Sequence, residues 1–88
     1  PAHPYADNAH YWRGEIHFAR RDCARAAAEM QRLIERYPNG NRVPDAMLRL
    51  GICLERLGET ARARAVLQEL RSRFPQSVAA RMASREDA

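Results

Sequence analysis

The chain has 88 residues, 45% of them apolar and 30% charged, a normal balance for one small globular domain. No run reaches the roughly 18 apolar residues of a membrane span, and a chain this short needs efficient packing or neighbouring repeats to be stable. The net charge is +4, but every basic residue is Arg and acids alternate with them at helix-neighbour spacings, as in Arg25/Glu29, Glu59/Arg62 and Glu69/Arg73. That pattern describes a solvated surface rather than the concentrated basic stripe that nucleic acid requires.

Five helices are predicted, and no strand. The first runs over about 5–20. Asp22 then caps a second over about 23–37, opened by the strong helix-forming run Cys23-Ala24-Arg25-Ala26-Ala27-Ala28-Glu29-Met30. Pro38 restricts Tyr37, and Asn39-Gly40 is a turn signal, so the second helix stops there. Asn41 is the expected cap of the third helix, about 42–57, with Pro44 tolerated in its first turn. Gly58 ends it. A fourth helix is predicted over about 60–73, and Ser77 caps a fifth over about 78–85, which frays into Glu86-Asp87-Ala88.

The pairs Tyr37-Pro38 and Phe74-Pro75 lie 37 residues apart, and the sequence between them repeats what precedes it. Shifted by that period, Pro1 falls on Pro38, Ala9 on Ala46, Gly14 on Gly51, Ala24 on Ala61 and Arg25 on Arg62. Ala26 falls on Ala63, Ala28 on Ala65, Gln31 on Gln68, Leu33 on Leu70 and Arg36 on Arg73. A fixed period in this range marks stacked helix pairs, each unable to bury its apolar face alone. Gly14 and Gly51 sit mid-helix, where glycine costs about 1 kcal/mol against alanine. Close helix crossings against Ala26 and Ala63 are the expected reason. Leu33 and Leu70 extend the same stripe at helical spacing. The opening Pro1 aligns with Pro38, and no initiator Met or signal peptide is present in these residues. A fragment of a longer protein, cut at a repeat boundary, is therefore expected.

His10-x2-Arg13-Gly14-x2-His17, Ala26-x3-Met30 and Pro38, followed by Met47-x2-Leu50-Gly51-x2-Leu54, Ala63-x3-Leu67 and Pro75, resemble the tetratricopeptide pattern. Arg13 and His17 depart from it, and the period exceeds the usual spacing of about 34. The resemblance implies an all-α solenoid of antiparallel helix pairs in a right-handed superhelix. Repeat one would cover about 4–38, repeat two about 41–75, and a C-terminal capping helix about 77–88, in a single domain, 1–88. A narrower resemblance rests on Tyr5 to Glu15, on Tyr37-Pro38-Asn39-Gly40-Asn41-Arg42-Val43-Pro44-Asp45-Ala46 and on Leu48-Arg49-Leu50-Gly51. These strings are similar to the C-terminal repeat domain of the Tol–Pal system protein YbgF, the cell division coordinator CpoB. That resemblance implies a periplasmic, non-enzymatic interaction domain whose partner is TolA, acting in cell division at the envelope. Outer-membrane assembly lipoproteins of the BamD type share "YP…YA…A" repeats and are the nearest alternative. A structural homo-oligomerisation module is another.

Chemistry is weakly signalled. His3, His10 and His17 are seven residues apart, which puts His10 and His17 about 10.5 Å apart along a helix, too far to share one ion with bonds of about 2 Å. Partly buried, hydrogen-bonded histidines are the expectation, with no metal and no cofactor. Cys23 or Cys53 beside a histidine is the sole nucleophile–base candidate, and neither sits in a recognisable motif. The two cysteines lie toward the same end of the stack, so a disulfide is open to them, as is simple burial. The first helix of each pair lines the concave side of such a stack. That places Asn8, Tyr11, Glu15 and Phe18 beside Asp45, Leu48, Ile52 and Glu55 as the candidate protein-binding face. Tyr11 and Phe18 are its expected anchors, or else completions of the core. Glu15 and Glu55 favour a basic or amide-rich ligand, and Trp12 is expected in the core or against a preceding repeat.

Overall fold

A computed structural model describes residues 6–86. Within them lie α1 (Ala6–Ala19), α2 (Cys23–Arg36), α3 (Val43–Arg56), α4 (Thr60–Arg73) and α5 (Val78–Glu86), with no strand. The boundaries agree with the predicted ones to within one or two residues; Tyr5, His3 and Pro1, and Asp87-Ala88 at the other end, lie outside the described residues. Each helix packs on the next, and α1, α3 and α5 also touch in series. Among the described residues α2 and α4 do not meet. The odd-numbered helices therefore form the inner layer of a curved stack, and the even ones the outer layer. None of the helices is long and apolar enough to cross a membrane.

The internal repeat is repeated in space. Ala26, Met30 and Leu33 of α2 are buried, as are Ala63, Leu67 and Leu70 of α4. Val43, Ala46, Met47, Leu50, Cys53 and Leu54 of α3 fill the space between these helices, and Ala79, Ala80 and Ala83 of α5 close it. Burying one Leu- or Met-sized side chain is worth about 1.5–3 kcal/mol, so this shared stripe dominates the stability. Gly14 and Gly51 are both buried. Their nearest neighbours, however, are not Ala26 and Ala63. A Cβ on Gly14 would stand 2.6 Å from Met30 Cε, and one on Gly51 would stand 2.5 Å from Leu67 Cδ2. Each glycine makes room for the long side chain one turn further along the returning helix, not for a close approach to the small one.

The turns repeat too, with two instructive departures. Tyr37 and Phe74 leave the helix at φ −130°, each donating its N–H to the carbonyl of Leu33 or Leu70. The following proline excludes the helical backbone there. Gly58 ends α3 at φ +85°; its counterpart after α1 is Arg21, at φ +63°. The same bonds close both ends: Asp22 N–H to His17 O and Glu59 N–H to Leu54 O, with Arg21 N–H to Phe18 O and Gly58 N–H to Glu55 O. This is a Schellman arrangement, which favours glycine at the left-handed residue, and α1 forms it with an arginine.

Asp22 caps α2 as expected, accepting from Arg25 N at 3.0 Å, and Ser77 Oγ caps α5 through Ala80 N at 3.0 Å. Asn41 does not cap α3. Arg42 occupies that position without a side-chain cap, and its N–H donates to Asp7 Oδ2 of α1 at 2.7 Å. Asp7 is buried, and its other oxygen has no hydrogen-bond partner. A carboxylate at a helix N-terminus is favourably placed. Gly40 leaves it the space, since a Cβ there would overlap the Asp7 carboxylate.

Candidate protein-binding face

The side-by-side packing of α1 and α3 gathers most of the expected face around two arginines. Arg42 Nε donates to Asn8 Oδ1 at 3.1 Å, and Arg42 Nη1 pairs with Asp45 Oδ2 at 3.1 Å. The same guanidinium lies 4.9 Å from the centre of the Tyr11 ring and 5.4 Å from that of Trp12, and the two rings meet edge to face. One turn-pair along α3, Arg49 grips Glu15 with both arms, Nε to Oε1 at 2.5 Å and Nη2 to Oε2 at 2.9 Å. Its guanidinium stacks 3.8 Å over Phe18, which Arg56 also approaches at 4.7 Å. Leu48 packs against the core, Ile52 is half-buried, and Glu55 is exposed.

The electrostatics follow from these pairings. Burial pushes the Tyr11 hydroxyl above its ordinary pKa, and the carboxylates of Glu15 and Asp45 push the same way. Burial opposes the charge on Arg49, but the two bonds to Glu15 more than offset it and its pKa rises. Glu15 is thus already neutralised within the chain, which removes much of the reason to expect a basic ligand at that point. Tyr11 and Phe18 pack on the core with one side, and the other lies beneath a guanidinium. Trp12 is not in the core. It is 54% exposed, with Ile16 at 50% beside it on the next turn.

Sequence reasoning missed the arginines. Arg42, at the cap of α3, and Arg49 and Arg56 within it are spaced seven apart, two turns each, so they fall on one face. That spacing was readable, but interspersed arginines suggested only a solvated surface. A second cluster joins the repeat pattern residues of α1 to α2. Arg13 Nε donates to the buried Glu29 at 2.8 Å, and Arg13 Nη2 meets His10 Nδ1 at 3.0 Å. Arg32 stands 3.7 Å from Glu29, and the His10 ring packs on Tyr37 at 5.4 Å. His10 is therefore a partly buried, hydrogen-bonded residue, as expected from its position. Burial opposes the charge on Glu29, yet Arg13 and then His10 outweigh it and hold the carboxyl below its usual range.

Cys23 and Cys53 are free thiols. Burial first, then Cys23, push the Cys53 thiol up to about 12, with Arg49 and Arg56 pulling the other way.

The tetratricopeptide repeat model matches residues 8–40 and 45–77. The two matches are offset by the same 37 residues as the internal repeat, and together they cover most of the chain. The chain belongs to the tetratricopeptide repeat family. Comparison with curated proteins gives no significant match. The family's repeats mediate protein–protein interaction, and the arrangement just described is that of a stack whose inner layer carries the aromatic and arginine side chains.

Proposed function

We propose that the α1–α3 face binds a segment of a protein partner, and that the chain is the partner-binding domain of a periplasmic YbgF-like protein of the Tol–Pal system. The observation that carries the first part is the row of Arg42, Arg49 and Arg56 laid over Tyr11 and Phe18. Aromatic and arginine side chains supply most of the binding energy at interfaces, and here they alternate on one rigid surface. The second part rests on the string Pro38-Asn39-Gly40-Asn41-Arg42-Val43-Pro44-Asp45-Ala46 and its neighbours, and makes TolA the partner to test first. The reading assigns the chain no catalytic role.

Calorimetry of the chain against the periplasmic part of TolA tests both. Binding that is lost in Tyr11→Ala/Phe18→Ala, with helical circular dichroism retained, supports the face and the partner. Unchanged binding in that folded variant removes the face. No binding of TolA by the wild-type chain removes the Tol–Pal assignment. A homo-oligomeric module is the second reading, favoured by Trp12 and Ile16 exposed at one end of the stack and Val78 and Met82 at the other. Sedimentation equilibrium separates it, since end-to-end pairing raises the mass with concentration.

A further inference from the structure

Where the turn after α1 meets the last turn of α3, the surface opens into a groove of about 1050 Å3. Apolar Phe18, Ala19 and Leu57 line it together with the charged Arg21, Asp22 and Arg56. Leu57 is 44% exposed, and Arg56 lies 4.7 Å from the centre of the Phe18 ring, so the groove continues the α1–α3 face. Its charge is one-sided. Asp22 is engaged at the start of α2, accepting from Arg25 N at 3.0 Å with the Arg25 guanidinium at 3.6 Å. On the adjoining face Asp45 is paired with Arg42, and Glu15 with Arg49. Arg21 and Arg56 are exposed, and neither has a carboxylate within ion-pair distance among the described residues. The 37-residue shift sets Gly58 against Arg21 and Ala19 against Arg56, so the packing of a repeat calls for neither arginine. Arg21 moreover holds a left-handed backbone, φ +63°, where glycine is favoured. A residue kept in an unfavourable conformation points to a use for its side chain beyond the fold.

We propose that this groove takes an acidic stretch of a protein partner, whose carboxylates pair with Arg21 and Arg56 while an apolar side chain between them settles on Phe18 and Leu57. Guanidinium groups suit carboxylates because their planar donors match both oxygens, and the apolar contact shields the pairs from water. A basic segment meets two like charges at the same place and is disfavoured. The occupant is a protein segment rather than nucleic acid, since the uncommitted positive charge is confined to two side chains beside an apolar surface. A phosphate backbone calls for a continuous basic track, and Arg42 and Arg49, further along the face, are already paired. The inference rests on the reading of the α1–α3 face as a partner-binding surface. It adds the sign of the partner's charge and the place where that charge is received, and it holds whichever protein the partner is.

The test is a nitrogen–proton NMR titration of the labelled chain, which reads weak binding residue by residue and includes the arginine Nε–H signals. The probe is an end-blocked peptide, Gly-Glu-Glu-Leu-Glu-Glu-Gly, and its control carries Gln in place of each Glu. The acidic peptide should shift the Nε–H signals of Arg21 and Arg56 and the backbone signals of residues 18–24 and 56–57, and the control should not. Arg21→Gly, which relieves the left-handed arginine and so keeps the fold, and Arg56→Ala should each weaken the acidic peptide by about two- to five-fold, the effect of one exposed ion pair. Arg64→Ala removes an exposed arginine from α4 and should leave the affinity unchanged. Equal binding of the two peptides, shifts centred elsewhere, wild-type affinity in both groove variants, or an equal loss in Arg64→Ala would each overturn the proposal. Binding of the acidic peptide by a chain that does not bind TolA removes the Tol–Pal assignment and upholds the groove. Binding of TolA through Tyr11 and Phe18 without binding of the acidic peptide removes the groove alone.

Discussion

Replacing Arg49 is the sharpest probe of how the inner face is built. Its side chain is 24% exposed and that of Glu15 20%, so the pair is neither a solvated surface bridge nor a fully desolvated one. Arg49→Ala has two effects at once. Glu15 loses both of its bonds and becomes a half-buried, unpaired carboxylate, which costs about 1–3 kcal/mol. Phe18 loses the guanidinium stacked on it, worth about 0.5–1 kcal/mol at a partly exposed site. Solvent screening reduces the first figure, because the carboxylate still reaches water. A total of about 2 kcal/mol is expected, which in a domain of this size lowers the melting temperature by about 8–16 °C. Arg49→Lys keeps the charge but loses the two-armed geometry and the stacking, and should recover less than half of the loss. The assay is urea unfolding of the wild type, Glu15→Gln, Arg49→Ala and the double variant. The coupling between the two sites should exceed about 0.5 kcal/mol, the upper range for independent positions. A coupling near zero, with Arg49→Ala as stable as the wild type, would show that the two-armed pair contributes nothing and that the face is not pre-organised by it.

Gly51→Leu should destabilise by about 1–3 kcal/mol, because even a Cβ would press on Leu67; urea unfolding at wild-type midpoint would refute the packing account. Arg21→Gly should stabilise by about 0.5–1 kcal/mol by relieving a left-handed arginine. Gly58→Ala should cost a similar amount for the same reason in reverse, and thermal melts in which the two shifts share a sign would contradict this. Glu29 has its folded pKa below the unfolded one, so the stability it lends is present above the unfolded carboxylate value and is lost as pH falls through the folded one. Glu29→Gln should therefore flatten the acid side of a stability–pH profile, and an unchanged profile would mean that Arg13 and His10 do not hold the charge.

The helices were legible because their signals are local. Asp22, Pro38, Gly58 and Ser77 each act within a few residues of themselves, and the 37-residue register repeated those signals. What was illegible involved residues far apart in sequence. Asp7 reaches Arg42 from another helix, so no window around Asn41 could reveal that a carboxylate of α1 meets the N-terminus of α3. Small residues suggest close backbones, which points the crossing at Gly14 to Ala26. The structure instead uses the glycine to seat Met30, a partner that only the angle and depth of packing decide. At the candidate face, Asn8, Tyr11, Glu15, Phe18 and Asp45 were readable from helical spacing. Their partners Arg42, Arg49 and Arg56 were not, since an arginine row reads alike whether it points to water or lies across a ring.

The two repeats agree where they must and differ where they are free to. Gly14/Gly51, Ala26/Ala63 and Leu33/Leu70 are identical across the 37-residue shift because each pair meets the same packing demand in its own unit. On the inner face the same shift relates Asn8 to Asp45, Tyr11 to Leu48, Glu15 to Ile52 and Phe18 to Glu55, and only the first of these pairs keeps its character. It also relates Trp12 to Arg49 and Ala19 to Arg56. The row of arginines is therefore a property of α3 alone, and the aromatic row a property of α1 alone. They interlock because the two helices lie side by side in the inner layer. A partner of the proposed kind would meet either guanidinium edges or, by drawing Arg42 and Arg49 aside, the rings beneath. The two modes differ in salt dependence: carboxylates on the arginines are screened as ionic strength rises, whereas burial of Tyr11 and Phe18 is not. Titrating the interaction at rising salt thus reports which half of the interlock the partner uses, and a binding constant insensitive to salt would assign the contact to α1.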